Sequence, residues 1–440
     1  MLRKLFKIIV LILMVIGIFY GISISMHKKN PSKRQREAET NFLNKIQTKP
    51  AELTEYYTYG RSFNVRGRIR NVEKDNFENA KLVITDGMGF EDGYNLDVSF
   101  EENNLIFYSN TNINTSMILD KLENKEYYIC IRLKLNNRVD AKYYSFTNAS
   151  EYGDELNYYT VTKDGKNRLA KIAFSKRNFN SNEYNILTIK LEDSSLPEDV
   201  YDIVLDAGNG GKDPGEISGA NREADINLDY AKALKQSLEE KGYKVKLTRD
   251  DENTDTYTYN NMYDENGRIS IACKTKAKLM ISFQINNGSR DLNGLEVCCP
   301  CKSNLKFGIE MASKIKEYTN IAYSNNNLRT KIQDGVYVKN YTEKEIAEAR
   351  AAAKRKGYEP YNITENTPYY YTIREVGGVA TEAYVDGRNK DYAKNEYYRS
   401  NQGIECYQVE LGYIKTDIDI IKNEKEGYIR AITEAIVNNY

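Results

Sequence analysis

The 440-residue chain has no tryptophan, seven prolines and a single histidine. The histidine deficit excludes most. A zinc site built on imidazoles needs two or three of them, and His27 stands alone beside the N-terminal apolar run, far from every motif described below. Thiols do not fill the gap: Cys130, Cys273, Cys298, Cys299, Cys301 and Cys406 lack the C-x₂-C spacing of a zinc module. Neighbouring residues on a strand point to opposite faces, so the run C-C-P-C at 298–301 reads as structural thiols, with a metal or disulfide role as the other reading. Excess charge is also missing. Lys+Arg and Asp+Glu both number 63, so nothing argues for nucleic acid or another polyanion as partner.

What is present begins with a basic start, Arg3, Lys4 and Lys7, followed by an uncharged apolar run over residues 8–26. As a helix rising about 1.5 Å per residue it is long enough to cross a hydrocarbon core of roughly 30 Å, which makes residues 1–29 a membrane anchor. A cleaved signal peptide is the alternative, but no A-x-A-like site follows. Lys28, Lys29, Lys33, Arg34 and Arg36 would favour the cytoplasmic side by the positive-inside rule, so charge does not by itself place the remainder outside. Residues 30–55 are polar and read as a juxtamembrane stalk.

Residues 56–198 hold short apolar runs at 62–69, 80–85, 104–108, 127–135 and 184–190, separated by Asn, Asp and Gly. That pattern predicts an all-β, sandwich-like or barrel domain. Its many tyrosines read as half-buried strand residues, with a sugar-stacking platform as the alternative. From residue 199 to 440 strands alternate with helices. Strands are predicted at 201–207, 243–248, 279–285, 294–297 and 407–412, and helices from Glu223 to a stop at Gly242 and over 268–278, 305–318 and 420–437. Ile226, Tyr230, Leu234 and Leu238 form the apolar stripe of the first helix. Alternation of this kind specifies an α/β domain with helices over a mixed sheet.

Four motifs lie in that last region. They are D-A-G-N-G-G-K-D-P-G at 206–215, R-E-A-D-I-N-L-D at 222–229, I-S-F-Q-I-N at 281–286 leading into N-G-L-E at 293–296, and V-E-L-G-Y at 409–413. The first follows a strand and precedes a helix, a position where α/β proteins commonly hold their sites. In this order the four resemble the zinc-dependent N-acetylmuramoyl-L-alanine amidases, which act on peptidoglycan. The resemblance implies that zinc is held by residues of the first three motifs and that a glutamate of the fourth acts on metal-bound water. That water would attack the amide between the lactyl group of N-acetylmuramic acid and L-alanine.

Carried onto this chain, the pattern makes Glu223 a retained metal ligand and Glu410 the general base, while Asn209 and Gln284 replace the two histidine ligands. Asp206, Gly208 and Asn286 are expected to line the cleft. Neutral amide oxygens are weak donors to zinc and suit harder ions such as calcium or magnesium. The expectation is therefore no cofactor. Asn209 and Gln284 would hydrogen-bond to Glu223 and keep the pocket's shape, with recruitment of another metal as the alternative. Away from any function, Glu223 is a carboxylate at a helix N-terminus and Glu410 one at the end of a central strand. A segment between Gln333 and Glu405 departs from the shorter family pattern and reads either as a loop over the cleft or as solvated structure.

The resemblance implies an extracytoplasmic protein anchored in the cell membrane, whose partners are peptidoglycan or muropeptides and a cell-wall enzyme. Three activities stay open: a zinc-deficient binder or regulator, an active amidase with an atypical metal site, and a protein-interaction scaffold at the wall.

Overall fold

A computed structural model describes residues 33–109, 117–136, 138–148, 155–161, 167–251, 265–300, 305–326, 330–355, 357, 363–381, 383 and 402–440. The expected anchor, His27, Cys301 and the segments 358–362 and 384–401 lie outside the described residues. Among the described residues no helix is long and apolar enough to cross a membrane.

The stalk expected over residues 30–55 is instead largely folded. Helix α1 (Lys33–Lys45) buries Ala38, Phe42 and Leu43, and the Phe42 ring stacks on Tyr128 with centroids 4.7 Å apart. Its polar composition conceals one apolar stripe, enough to seat a helix on a sheet. The β-rich region then runs through β1 (Ala51–Tyr59), β2 (Ser62–Arg70), β3 (Phe77–Thr85), β4 (Glu91–Glu101), β5 (Asn104–Ser109), β6 (Met117–Ile118) and β7 (Glu126–Leu135). It continues with β8 (Lys142–Tyr144), β9 (Phe146–Asn148), β10 (Glu155–Val161), β11 (Asn167–Phe179) and β12 (Asn182–Asp193).

These strands form a curled sheet whose main path is β10-β11-β12-β7-β3-β4-β5-β2-β1. The corner is β4: Glu91 to Asn95 pair with β3, and Leu96 to Glu101 pair with β5. One long strand thus passes from one half of the sandwich to the other, and both halves close on a shared core that includes Tyr56, Phe63, Phe107, Ile129 and Ile172. Tyr56, Tyr127 and Tyr128 are fully buried among the strands, more deeply than the half-burial expected of them.

The second sheet, of order β16-β13-β17-β22-β18-β20-β19, comprises β13 (Ile203–Ala207), β16 (Val245–Leu247), β17 (Leu279–Asn286), β18 (Glu296–Cys299), β19 (Thr330–Gln333), β20 (Val336–Val338) and β22 (Glu405–Tyr413). The ribbon β14 (Ile217–Ser218) with β15 (Asn221–Arg222) stands apart, and β21 (Gln402–Gly403) joins the first sheet. The helices are α2 (Glu223–Glu239), α3 (Arg268–Lys274), α4 (Leu305–Tyr318), α5 (Glu343–Arg355), α6 (Tyr371–Val376), α7 (Ile418–Asn423) and α8 (Lys425–Asn439).

Strand alternation sorts the side chains into two layers. Leu205, Phe283, Val297 and Val409 face a core shared with α2, α4 and α8, whereas Val204, Met280, Cys298 and Cys406 face one shared with α3 and α6. Cys298 and Cys299 accordingly point to opposite faces. The predicted final helix is broken. Glu424 leaves helical geometry at φ −113° and ψ 20°, and its carboxylate accepts hydrogen bonds from the backbone N–H and side-chain amide of Asn320.

Candidate functional site

The site lies at the carboxyl ends of β13, β17 and β22, on the face shared with α3 and α6. Gln284 and Glu410 are neighbours across the parallel pair β17/β22, and Glu296 lies opposite Glu410 across the antiparallel pair β22/β18. The glycine-rich loop after β13 brings Asn209 in from one side, and the first residue of α2, Glu223, closes the group. Arg249 fastens this arrangement: its guanidinium donates to the carbonyls of Ala207, Gly208 and Ala224, tying the loop to the start of α2.

Two glycines set the packing. A Cβ at Gly208 would fall 2.3 Å from the Phe283 carbonyl oxygen and 2.6 Å from the Gln284 amide, so Gln284 rests directly on the loop backbone. One at Gly215, whose φ is +65°, would fall 2.6 Å from Glu223 Oε2 and 2.8 Å from Asn209 Cγ. Asn209, Glu223, Gln284 and Glu410 therefore lie near one another at the carboxyl ends of these strands.

The hydrogen bonding of Asn209 differs from the expectation. Asn209 has φ +58°, a left-handed conformation that Asn tolerates, and its Nδ2 donates to Asp213 Oδ2 at 3.2 Å instead of to Glu223. Its buried Oδ1 has no hydrogen-bond donor among the described residues. Glu223 is satisfied by backbone: Oε1 accepts from Ile285 N–H at 2.7 Å, and Oε2 accepts from Glu216 N–H at 2.9 Å. The Asn227 amide adds a weaker bond at 3.4 Å. Burial, with the nearby charge of Glu410 as a lesser cause, outweighs these donors and pushes the Glu223 carboxyl up to about 7.

Asp206 is not a cleft residue. It is fully buried below the site, where Arg268, Thr248 and Ser282 all donate to its carboxylate. It lies on the same face as Gln284 and Glu410 but fully buried, and its pairing with Arg268 ties β13 to α3. Asn286 anchors backbone, its carbonyl accepting Ile414 N–H at 2.9 Å. Gly208 serves as the platform under Gln284.

Three residues near the site escaped the sequence argument. Gln408 Nε2 donates to Glu410 Oε1 at 2.8 Å, and the Thr372 hydroxyl donates to Gln408 Oε1 at 3.2 Å. Glu296, fully buried, accepts from the Ser324 and Tyr413 hydroxyls. Gln408 is two residues from Glu410 on one strand and was legible from alternation. Thr372 was not: it arrives on α6, which packs on β22, within the segment between Gln333 and Glu405 that the sequence read either as a loop over the cleft or as solvated structure.

The donor set does not fit zinc. Glu223 offers a carboxylate and Asn209 and Gln284 offer neutral carboxamides, which are weaker donors to zinc than imidazoles or thiolates. Among the described residues no three His, Cys, Asp or Glu side chains converge as a metal site. Burial and the Glu410 charge keep the nearby Cys298 thiol protonated, its pKa well above the usual thiol value.

The profile of the N-acetylmuramoyl-L-alanine amidase family matches residues 203–439. A germination-specific N-acetylmuramoyl-L-alanine amidase of Bacillus subtilis is 33% identical over 98 residues, 21% of this chain and 41% of that protein. The chain spans about two fifths of the length of the curated relatives it matches, 41% and 42%. Among solved structures, the amidase AmiC2 of Nostoc punctiforme is similar over 54% of this chain and 94% of that one, at 20% identity and a TM-score of 0.33. The catalytic domain of the amidase CwlV from Bacillus (Paenibacillus) polymyxa is similar over 54% and 97%, at 18% identity and a TM-score of 0.34. The family is zinc-dependent and acts on peptidoglycan, and with its profile covering the whole α/β region from β13 to α8, this chain belongs to the N-acetylmuramoyl-L-alanine amidase family.

Proposed function

We propose that this member of the family has exchanged zinc hydrolysis for recognition. Held at the outer face of the cell membrane by residues 8–26, it binds peptidoglycan or muropeptides in the cleft between Glu223 and Glu410 and regulates wall hydrolysis by a partner enzyme. One observation carries the reading: beside Glu223, which is held by backbone N–H groups, stand the neutral carboxamides Asn209 and Gln284, at the positions where the resemblance implies histidines. A pocket of carboxamides and buried carboxylates still offers many hydrogen-bonding groups to an amide- and hydroxyl-rich glycopeptide. The test is metal analysis of the purified protein together with muropeptide binding and release from sacculi. Bound muropeptide without zinc or released stem peptides is expected; stoichiometric zinc with hydrolysis would overturn the proposal.

The orphaned Asn209 Oδ1 favours one second reading, an active amidase using a harder cation such as calcium or magnesium. It requires cation-dependent hydrolysis that Glu410→Gln abolishes. Capture of a protein partner with no binding to purified peptidoglycan would point instead to an interaction scaffold.

A further inference from the structure

One short strand belongs to both halves of the molecule. β21 leads into β22, the strand of Glu410, yet it pairs in parallel with β1 of the β-rich domain, Thr58 opposite Gln402 and Tyr59 opposite Gly403. Gly60 N–H donates to the Gly403 carbonyl at 3.0 Å, and Gln402 Nε2 donates to the Asn157 carbonyl at 2.7 Å. The junction is tight, because a Cβ on Gly403 would lie 2.3 Å from the Gly377 carbonyl oxygen and 3.0 Å from the Tyr59 ring.

The same junction holds α6. Ile404 N–H donates at 2.9 Å to the carbonyl of Val376, the last residue of that helix. Near the other end of α6, the Thr372 hydroxyl engages Gln408 Oε1, which turns Gln408 Nε2 toward Glu410 Oε1. Thr372, Gln408 and Glu410 are all buried, so water does not substitute freely for these bonds. An unbroken series of contacts thus leads from the edge of the β-rich sheet to the cleft carboxylate.

We propose that the β-rich domain positions Glu410, acting through β21, α6 and Gln408. The domain is then a working part of the cleft and not a module carried beside it. Thr372 and Gln408 are positioning residues, and the ligand arm of the test rests on the proposed recognition of muropeptides.

The experiment uses the full-length protein labelled with ¹⁵N at glutamine, reading the Gln408 side-chain amide resonance and muropeptide affinity, with thermal melts as a folding control. Thr372→Val and Gln402→Ala are expected to shift and broaden that resonance, whereas Thr372→Ser leaves it in place. Each of the first two weakens muropeptide binding by about tenfold, the effect of one charge-assisted hydrogen bond. Their double variant is no weaker than the worse single one, as for residues acting in series. Gly403→Ala, which pushes on Gly377, gives the same spectral change; if it does not fold, Gln402→Ala decides. An unchanged Gln408 resonance in folded Gln402→Ala protein overturns the proposal. Absence of muropeptide binding by the unaltered protein defeats the functional reading alone, because the resonance still reports on positioning.

Discussion

Glu223 concentrates the electrostatic tension of the cleft. Burial and the charge of Glu410 raise its carboxyl from an ordinary 4.5 to about 7 against the pull of two backbone donors. Between those values the folded chain holds a proton that the unfolded chain has released, so this contribution to stability is complete below pH 4.5 and is lost as the pH rises through about 7. At about 1.4 kcal/mol per unit the loss is on the order of 3 kcal/mol. Urea melts across this window should show stability falling and then levelling above about pH 8, and Glu223→Gln should flatten the slope. A second expectation concerns the two carboxamides. Asn209→His combined with Gln284→His is expected to take up zinc, with a melting temperature that rises only when zinc is added. Neither single variant should do so, since each supplies one imidazole. Histidine is among the residues that tolerate the left-handed φ of position 209.

The elements around the cleft are fastened by buried polar groups as much as by apolar packing. The Asp206 and Arg268 side chains are 0% exposed and tie α3 to β13. Removing one partner strands the other, so Asp206→Ala or Arg268→Ala should cost about 3–5 kcal/mol in urea unfolding. Periodicity made the strands and helices legible: α4 spans the predicted 305–318, and Tyr230, Leu234 and Leu238 form the buried stripe of α2. It did not reveal α1, whose buried face is narrow in a polar segment, nor the break at Glu424, where Asn320, far away in sequence, donates to the carboxylate. The role of Asp206 was misassigned for the same reason. A motif position says that a carboxylate stands at a strand's end, but the Arg268 that claims it lies 62 residues on.

At the scale of the molecule the two domains share a charged junction. Arg61 pairs with Asp120 and donates to the Asn439 carbonyl, while Tyr440 and Tyr407 both donate to Glu405. Burial alone would raise the Asp120 carboxyl, but Lys278 of the α/β domain and Arg61 outweigh it and hold it below the ordinary range. The chain from α1 to α8 is therefore expected to unfold in one calorimetric transition, and Arg61→Ala should lower its stability by about 3 kcal/mol without splitting that transition. Two separated transitions would show that the junction does not couple the domains. The sequence by itself determined the alternation of elements, the family motifs and the lack of imidazoles for zinc, because these depend on residue type and short-range order. Only the tertiary structure decided which carboxylates meet in the cleft, that Asp206 lies beneath it, and that β21 binds the β-rich domain to the strand of Glu410. Hydrogen-bond partners and burial depend on which distant segments are brought together, and neither composition nor periodicity records that.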